Sequence, residues 1–218
     1  MMIMRRMYRA QVKEGVREDF VRALEENGSR WEKELRDLGL INGCLFEKEG
    51  GVFVYAESAV ECFVWHWPVA CQELLERWPG EKSGGRLEVP MLDIYHDGEA
   101  GAPEVRIGRS SRERIGSLTR LKPEMFASYV FYHYAKQEET PGSFNPTYII
   151  GAHENILFSY QELPAPRGES RATRRTWPAP VAPDNWHETM QPHFLPWSDG
   201  ERGPVLWEKM SMLLSFGE

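Results

Sequence analysis

The side chains best suited to chemistry are Tyr129 and His133, four apart in the aromatic stretch Phe126, Tyr129, Phe131, Tyr132, His133, Tyr134. On a helix that spacing puts phenol and imidazole on one face, above Phe126. Histidine titrates near neutrality and is the natural general acid or base; a neighbouring tyrosine could orient it or hydrogen-bond a substrate hydroxyl. The same face is the one expected to pack on a sheet. Periodicity alone therefore favours a plainer alternative, two core residues with their polar tips bonded to backbone.

His187 and His193 bracket a second candidate helix, with Trp186, Phe194 and Trp197 nearby. These tryptophans serve equally as core or as platforms for a sugar ring. His66 and His153 read as surface or packing residues. His187-Glu188 lacks the second histidine of a zinc-protease helix, and Cys44, Cys62 and Cys71 have no ligand spacing, so no metal is expected. The thiols fit a reducing compartment better than a disulfide framework. Gly116-Ser117 and Gly142-Ser143 lack the flanks of a nucleophile elbow, and no glycine-rich loop joins a strand to a helix. Nucleophilic catalysis and nucleotide binding are poor fits.

The elements that must position these residues follow from a repeat. Phe-x-Tyr-x-Glu occurs as Phe53, Tyr55, Glu57 and again as Phe158, Tyr160, Glu162. Each trio alternates along a strand and so shares one sheet face. The first half reads as a strand at 7–13 and a helix carrying Phe20, Leu24, Trp31 and Leu35, closed by Gly39. A hairpin at 41–48 and 51–57 follows, then a helix at 59–78 that Pro68 should kink, and a strand at 87–95. The second half repeats the order: strand 115–121, a helix from Pro123 to about 139, hairpin 147–152 and 156–162, helix 184–197 and strand 205–216.

The expected class is α+β, with two tandem ferredoxin-like βαββαβ repeats at 1–98 and 115–218. The linker 99–114 carries four arginines that are expected to be solvated. Each repeat leaves one sheet face bare, and the two antiparallel sheets can pack face to face as an intramolecular dimeric α/β barrel. The stretch 164–183 departs from the first half, with Pro164, Pro166, Pro178, Pro180 and Pro183 among Arg167, Arg171, Arg174 and Arg175. It reads as a lid or as disordered chain.

A formal charge of -7 over 218 residues argues against nucleic acid. No apolar run approaches the roughly 18 residues needed to cross a bilayer, and the first residues lack the apolar core of a signal peptide. A cytoplasmic protein with no membrane partner is expected.

On these motifs the halves resemble the L-rhamnose mutarotases of the dimeric α/β-barrel superfamily. That family has a strand ending in Phe-x-(Tyr or Met)-x-Glu and a first helix with Tyr-x-x-x-His, matched by Tyr129 and His133. Lys122-Pro123 stands where the family often has Asn-Pro, and Val69, Cys71 and Gln72 are similar to a run in its second helix. The strand from Met91 to His96 is similar to its terminal strand. In the first half Phe20 and Leu24 replace the Tyr and His, with Asn27 on the same stripe, so that site is disarmed. The family's Trp pair is replaced by Leu74-Leu75, and by His193-Phe194 in the second half.

The resemblance implies an aldose mutarotase-like isomerase acting in the second repeat. His133 and Tyr129 would be catalytic, and His193, Trp186, Tyr160, Glu162 and Phe194 would bind the sugar, with no metal or cofactor. Glu162 equally fits a structural pairing with an arginine. The implied partner is a monosaccharide or other small molecule, and the chain is a monomer with an internal pseudo-dimer or a homodimer. The alternative is a non-catalytic barrel for small-ligand binding or assembly, motivated by the disarmed first half. Haem-binding and monooxygenase-like barrels recur in the same superfamily, although no histidine stands in an axial-ligand motif.

Overall fold

The computed structural model describes residues 3–80, 84–166, 181–200 and 203–217. Its first elements are β1 (Met4–Gln11), α1 (Arg17–Asp37), β2 (Leu40–Lys48), β3 (Gly51–Ser58), α2 (Val69–Gln72), β4 (Val89–Pro90) and β5 (Leu92–His96). They continue with β6 (Glu113–Leu121), α3 (Phe126–Glu139), β7 (Ile149–His153), β8 (Ile156–Leu163), α4 (Trp186–Met190), β9 (Glu208–Lys209) and β10 (Ser211–Phe216). The chain is of mixed α+β class, and its strands pair antiparallel.

Two compact units result: Met1–Met91 with Ser211–Glu218, and Leu92–Met210. The sheet of the first unit runs β10-β2-β3-β1-β4, and that of the second β9-β6-β8-β7-β5. The closing strand of each half is split. Val89–Pro90 stays beside β1, whereas Leu92–His96 belongs to the second unit and pairs with β7. Glu208–Lys209 stays beside β6, whereas Ser211–Phe216 belongs to the first unit and pairs with β2. The units therefore follow different bounds from the expected 1–98, 99–114 and 115–218.

In the first unit α1 forms where the apolar stripe predicts. It buries Phe20, Leu24, Trp31 and Leu35 against Val52, Val54 and Ala56 of β3. Gly39, at φ +100, ends it in the left-handed region that favours glycine. Glu49 and Gly50, both at positive φ, make the tight turn of the β2–β3 hairpin.

The helix expected at 59–78 reduces to Val69–Gln72. Pro68, at φ -52 and ψ 141, sits outside it. Ahead of Pro68 the chain is irregular and turns Phe63, Trp65 and Trp67 inward at alternate positions, the spacing of extended chain. The helix expected at 184–197 shortens to Trp186–Met190 and one 3-10 turn, Gln191–His193, because Pro192 and Pro196 cannot continue it. Residues 167–180, most of the proline- and arginine-rich stretch, lie outside the described residues. Among those described, no helix is long and apolar enough to cross a membrane.

The linker arginines are not all solvated. Arg109 sits in a short 3-10 turn, 6% exposed, and its Nε donates to Glu162 Oε1 at 2.6 Å. Arg112 Nη1 reaches Glu162 Oε2 at 3.2 Å, and the Tyr160 hydroxyl donates to Oε1 at 2.8 Å. A carboxylate at 0% exposure needs such partners, since a buried charge left unpaired is strongly destabilising. Arg109→Ala should lower the unfolding free energy by about 3 kcal/mol in urea titration, and by much less in a Glu162→Gln background. An unchanged midpoint in Arg109→Ala would contradict this anchoring role.

Candidate functional site

The second unit builds its site on α3. Tyr129 and His133 lie on its inner face, 2% and 5% exposed, with their ring centroids 4.0 Å apart and the planes tilted by 31°. His133 Nδ1 lies 2.9 Å from the Tyr129 carbonyl oxygen. A carbonyl can only accept, so Nδ1 carries the proton and Nε2 is a bare lone pair. Burial lowers the His133 pKa to about 4, against a backbone hydrogen bond that favours the charged form; Lys136 and His193 add smaller depressions. The imidazole is neutral at pH 7. Burial also raises the Tyr129 pKa well above its ordinary value, so its hydroxyl stays a donor.

No hydrogen bond joins the Tyr129 hydroxyl or His133 Nε2 to another described residue. Both residues line a cavity of about 400 Å³. Its walls are aromatic. Trp186 meets His133 edge-on at 4.9 Å, Tyr95 does so at 5.5 Å from β5, and Phe194 meets Tyr129 at 5.5 Å. Tyr148 and Trp207 complete the enclosure. The Tyr95 hydroxyl donates to Asp97 Oδ1 at 3.1 Å, and that carboxylate also collects the Ser143 and Phe144 N–H groups. Burial raises the pKa of Tyr95 and pushes that of Tyr148 up to about 12, so these phenols stay neutral too. Lys136 lines the same cavity, its Nζ 4.7 Å from the centre of the Trp186 ring.

Among the residues expected at a site, His133, Tyr129, Trp186 and Phe194 are brought together here. His193 stands behind Tyr129, buried, with both nitrogens engaged: Nδ1 lies 3.2 Å from the Met190 carbonyl and Nε2 is 2.8 Å from the Ser128 hydroxyl. Tyr160 and Glu162 do not line the cavity and are held in the arginine cluster. Trp197 likewise lies apart, stacked by Arg120 at 4.1 Å. Among the described residues no group of three His, Cys, Asp or Glu could hold a metal ion.

Sequence reasoning missed Lys136, Tyr95, Tyr148 and Trp207. Lys136 could have been found, since it continues the Tyr129–His133 stripe by one helical turn. Tyr95 could not, because nothing in its own strand shows that it enters the second unit.

In the first unit Phe20 and Leu24 are buried in the core, and Trp31, Trp65 and Trp67 pack together at 5.3 to 5.8 Å. Trp31 Nε1 donates to the His66 carbonyl at 2.9 Å and Trp67 Nε1 to Glu88 Oε2 at 2.8 Å.

No protein-family model matches the chain, and no curated protein is similar to it. Two solved structures are similar in shape. One, from Fusobacterium nucleatum, is called a "putative monooxygenase"; it is 8% identical over 100% of this chain and 95% of that one, with a TM-score of 0.37. The other, from Lactobacillus acidophilus, bears the same name and is 9% identical over 100% of this chain and 97% of that one, with a TM-score of 0.41.

The resemblance to L-rhamnose mutarotases is accordingly set aside, and the sugar-isomerase activity with it. Neither a family model nor a curated protein supports the resemblance.

The His133 environment predicts a stability signature. Its folded pKa, about 4, lies below the unfolded 6.5, so between these values the unfolded chain binds a proton that the folded one refuses. Stability should fall as pH drops through that window, with His133 contributing up to roughly 3 kcal/mol of the loss. Urea unfolding at pH 7.5, 6 and 5 should show a shallower fall for His133→Phe than for wild type. Parallel pH profiles would contradict the buried neutral histidine.

Proposed function

We propose that the second unit binds a small, flat, largely apolar organic molecule bearing a hydroxyl. The observation that carries this reading is the Tyr129–His133 pair: a phenol donor and an imidazole acceptor, both buried, unpartnered among the described residues, and lining an aromatic cavity. A ligand hydroxyl that donates to Nε2 and accepts from the Tyr129 hydroxyl would satisfy both groups at once. The cavity volume of about 400 Å³ falls within the roughly 300–1,000 Å³ of small-molecule sites. A histidine with a pKa near 4 is a poor proton acceptor at neutral pH, which favours recognition over acid–base catalysis.

The same reading takes the units as diverged ferredoxin-like copies. In each sheet the opening strand lies between the third strand and the fourth, and the second strand lies beyond the third, the order of a βαββαβ plan. One copy, packed with tryptophan, serves as scaffold; the other keeps the site.

The test is binding of 2-naphthol, followed by calorimetry and by quenching of tryptophan fluorescence. Saturable one-to-one binding is expected, weakened about tenfold by His133→Phe and by Tyr129→Phe, the worth of one hydrogen bond of about 1.4 kcal/mol. No saturable binding, or wild-type affinity in both variants, would overturn the reading. Oxygen uptake with the probe bound separates a binding site from a monooxygenase-like one. Here the uptake should equal that of the probe alone.

A further inference from the structure

We propose that Lys136 anchors an anionic group at the mouth of the Tyr129–His133 cavity, so that the ligand is a ring-bearing carboxylic acid held hydroxyl-end inward. This rests on the binding reading above and names the ligand class within it. Lys136 lies one turn beyond His133 on the same helix face, about 4.5 Å along the axis. It is half-buried and lines the cavity, with Nζ over the Trp186 ring that also packs on His133.

Lys136 forms no ion pair with the described residues. Glu139, one turn further along the helix, and Asp97 each accept from backbone donors. Glu139 takes the N–H of Val181 at 2.6 Å and of Ala182 at 3.1 Å, and Asp97 takes those of Ser143 and Phe144. His187, exposed, lines the same cavity.

On a chain of net charge -7, Lys136 sets an ammonium beside a largely aromatic cavity. An ammonium partly screened from water by an aromatic face attracts an anion more strongly than one in bulk solvent. The cavity therefore offers three complementary features in sequence: a donor–acceptor pair inside, aromatic walls, and a cation outside. A hydroxylated aromatic acid matches all three.

The experiment compares 6-hydroxy-2-naphthoate with its methyl ester by calorimetry at pH 7.5, using 2-naphthol as competitor. Wild type should bind the acid about tenfold more tightly than the ester, and raising the salt should narrow the gap. Lys136→Met should abolish the preference while still binding both probes saturably, which also shows that the variant is folded. Lys136→Arg should keep the preference. Equal affinity of wild type for acid and ester, or a preference that survives Lys136→Met, overturns the anionic anchor while leaving the cavity reading intact. Failure of both probes to bind overturns the cavity reading and the anchor together.

Discussion

The hydrogen bond from His133 Nδ1 to the Tyr129 carbonyl decides what the second unit can do. It is local, made within one turn of a helix, and it fixes three things at once. It sets the tautomer, it holds the imidazole against the tyrosine ring, and it leaves Nε2 on the edge of the ring away from the helix backbone. Burial then removes the charge, and the aromatic walls remove competing partners. Without that bond the histidine would be an ordinary core residue of uncertain orientation. With it, the cavity carries a fixed acceptor beside a fixed donor.

The two units show how one chain order can hold different interiors. Both sheets follow the same strand arrangement, and both contain a Tyr-x-Glu pair bonded on one face, Tyr55 to Glu57 at 2.5 Å and Tyr160 to Glu162 at 2.8 Å. The difference lies between helix and sheet. In the first unit the segment before Pro68 sends Trp65 and Trp67 inward against Trp31, and indole volume fills the layer. In the second, smaller contributions from several elements line a cavity without filling it.

Much of this was legible from sequence where the signal is local. The stripe Phe20, Leu24, Trp31, Leu35 marks α1, Glu49-Gly50 marks a tight turn, and the four-residue spacing brings Tyr129 to His133. Signals that depend on distant chain were not legible. Nothing in the strand near Met91 shows that it divides between two sheets, so Tyr95 could not be placed in the cavity. The Phe63, Trp65, Trp67 alternation was hidden inside a stretch read as helix, although Pro68 already argued against one. Arg109 and Arg112 looked solvated because charge and glycine dominate their segment, yet a buried carboxylate from β8 pulls them in. The repeated Phe-x-Tyr-x-Glu misled most. Its glutamate and tyrosine bond to each other in both units, so the pattern reports how a strand buries a carboxylate, and it says little about any substrate.

The most direct test of the donor–acceptor pair is nitrogen NMR of the protein labelled with 15N-histidine, before and after addition of 2-naphthol at pH 7. His133 should show a protonated Nδ1 and a bare Nε2, and only the Nε2 resonance should move as the probe's hydroxyl bonds to it. A His133 protonated on Nε2, or an Nε2 signal that stays fixed at saturating probe, would contradict the account.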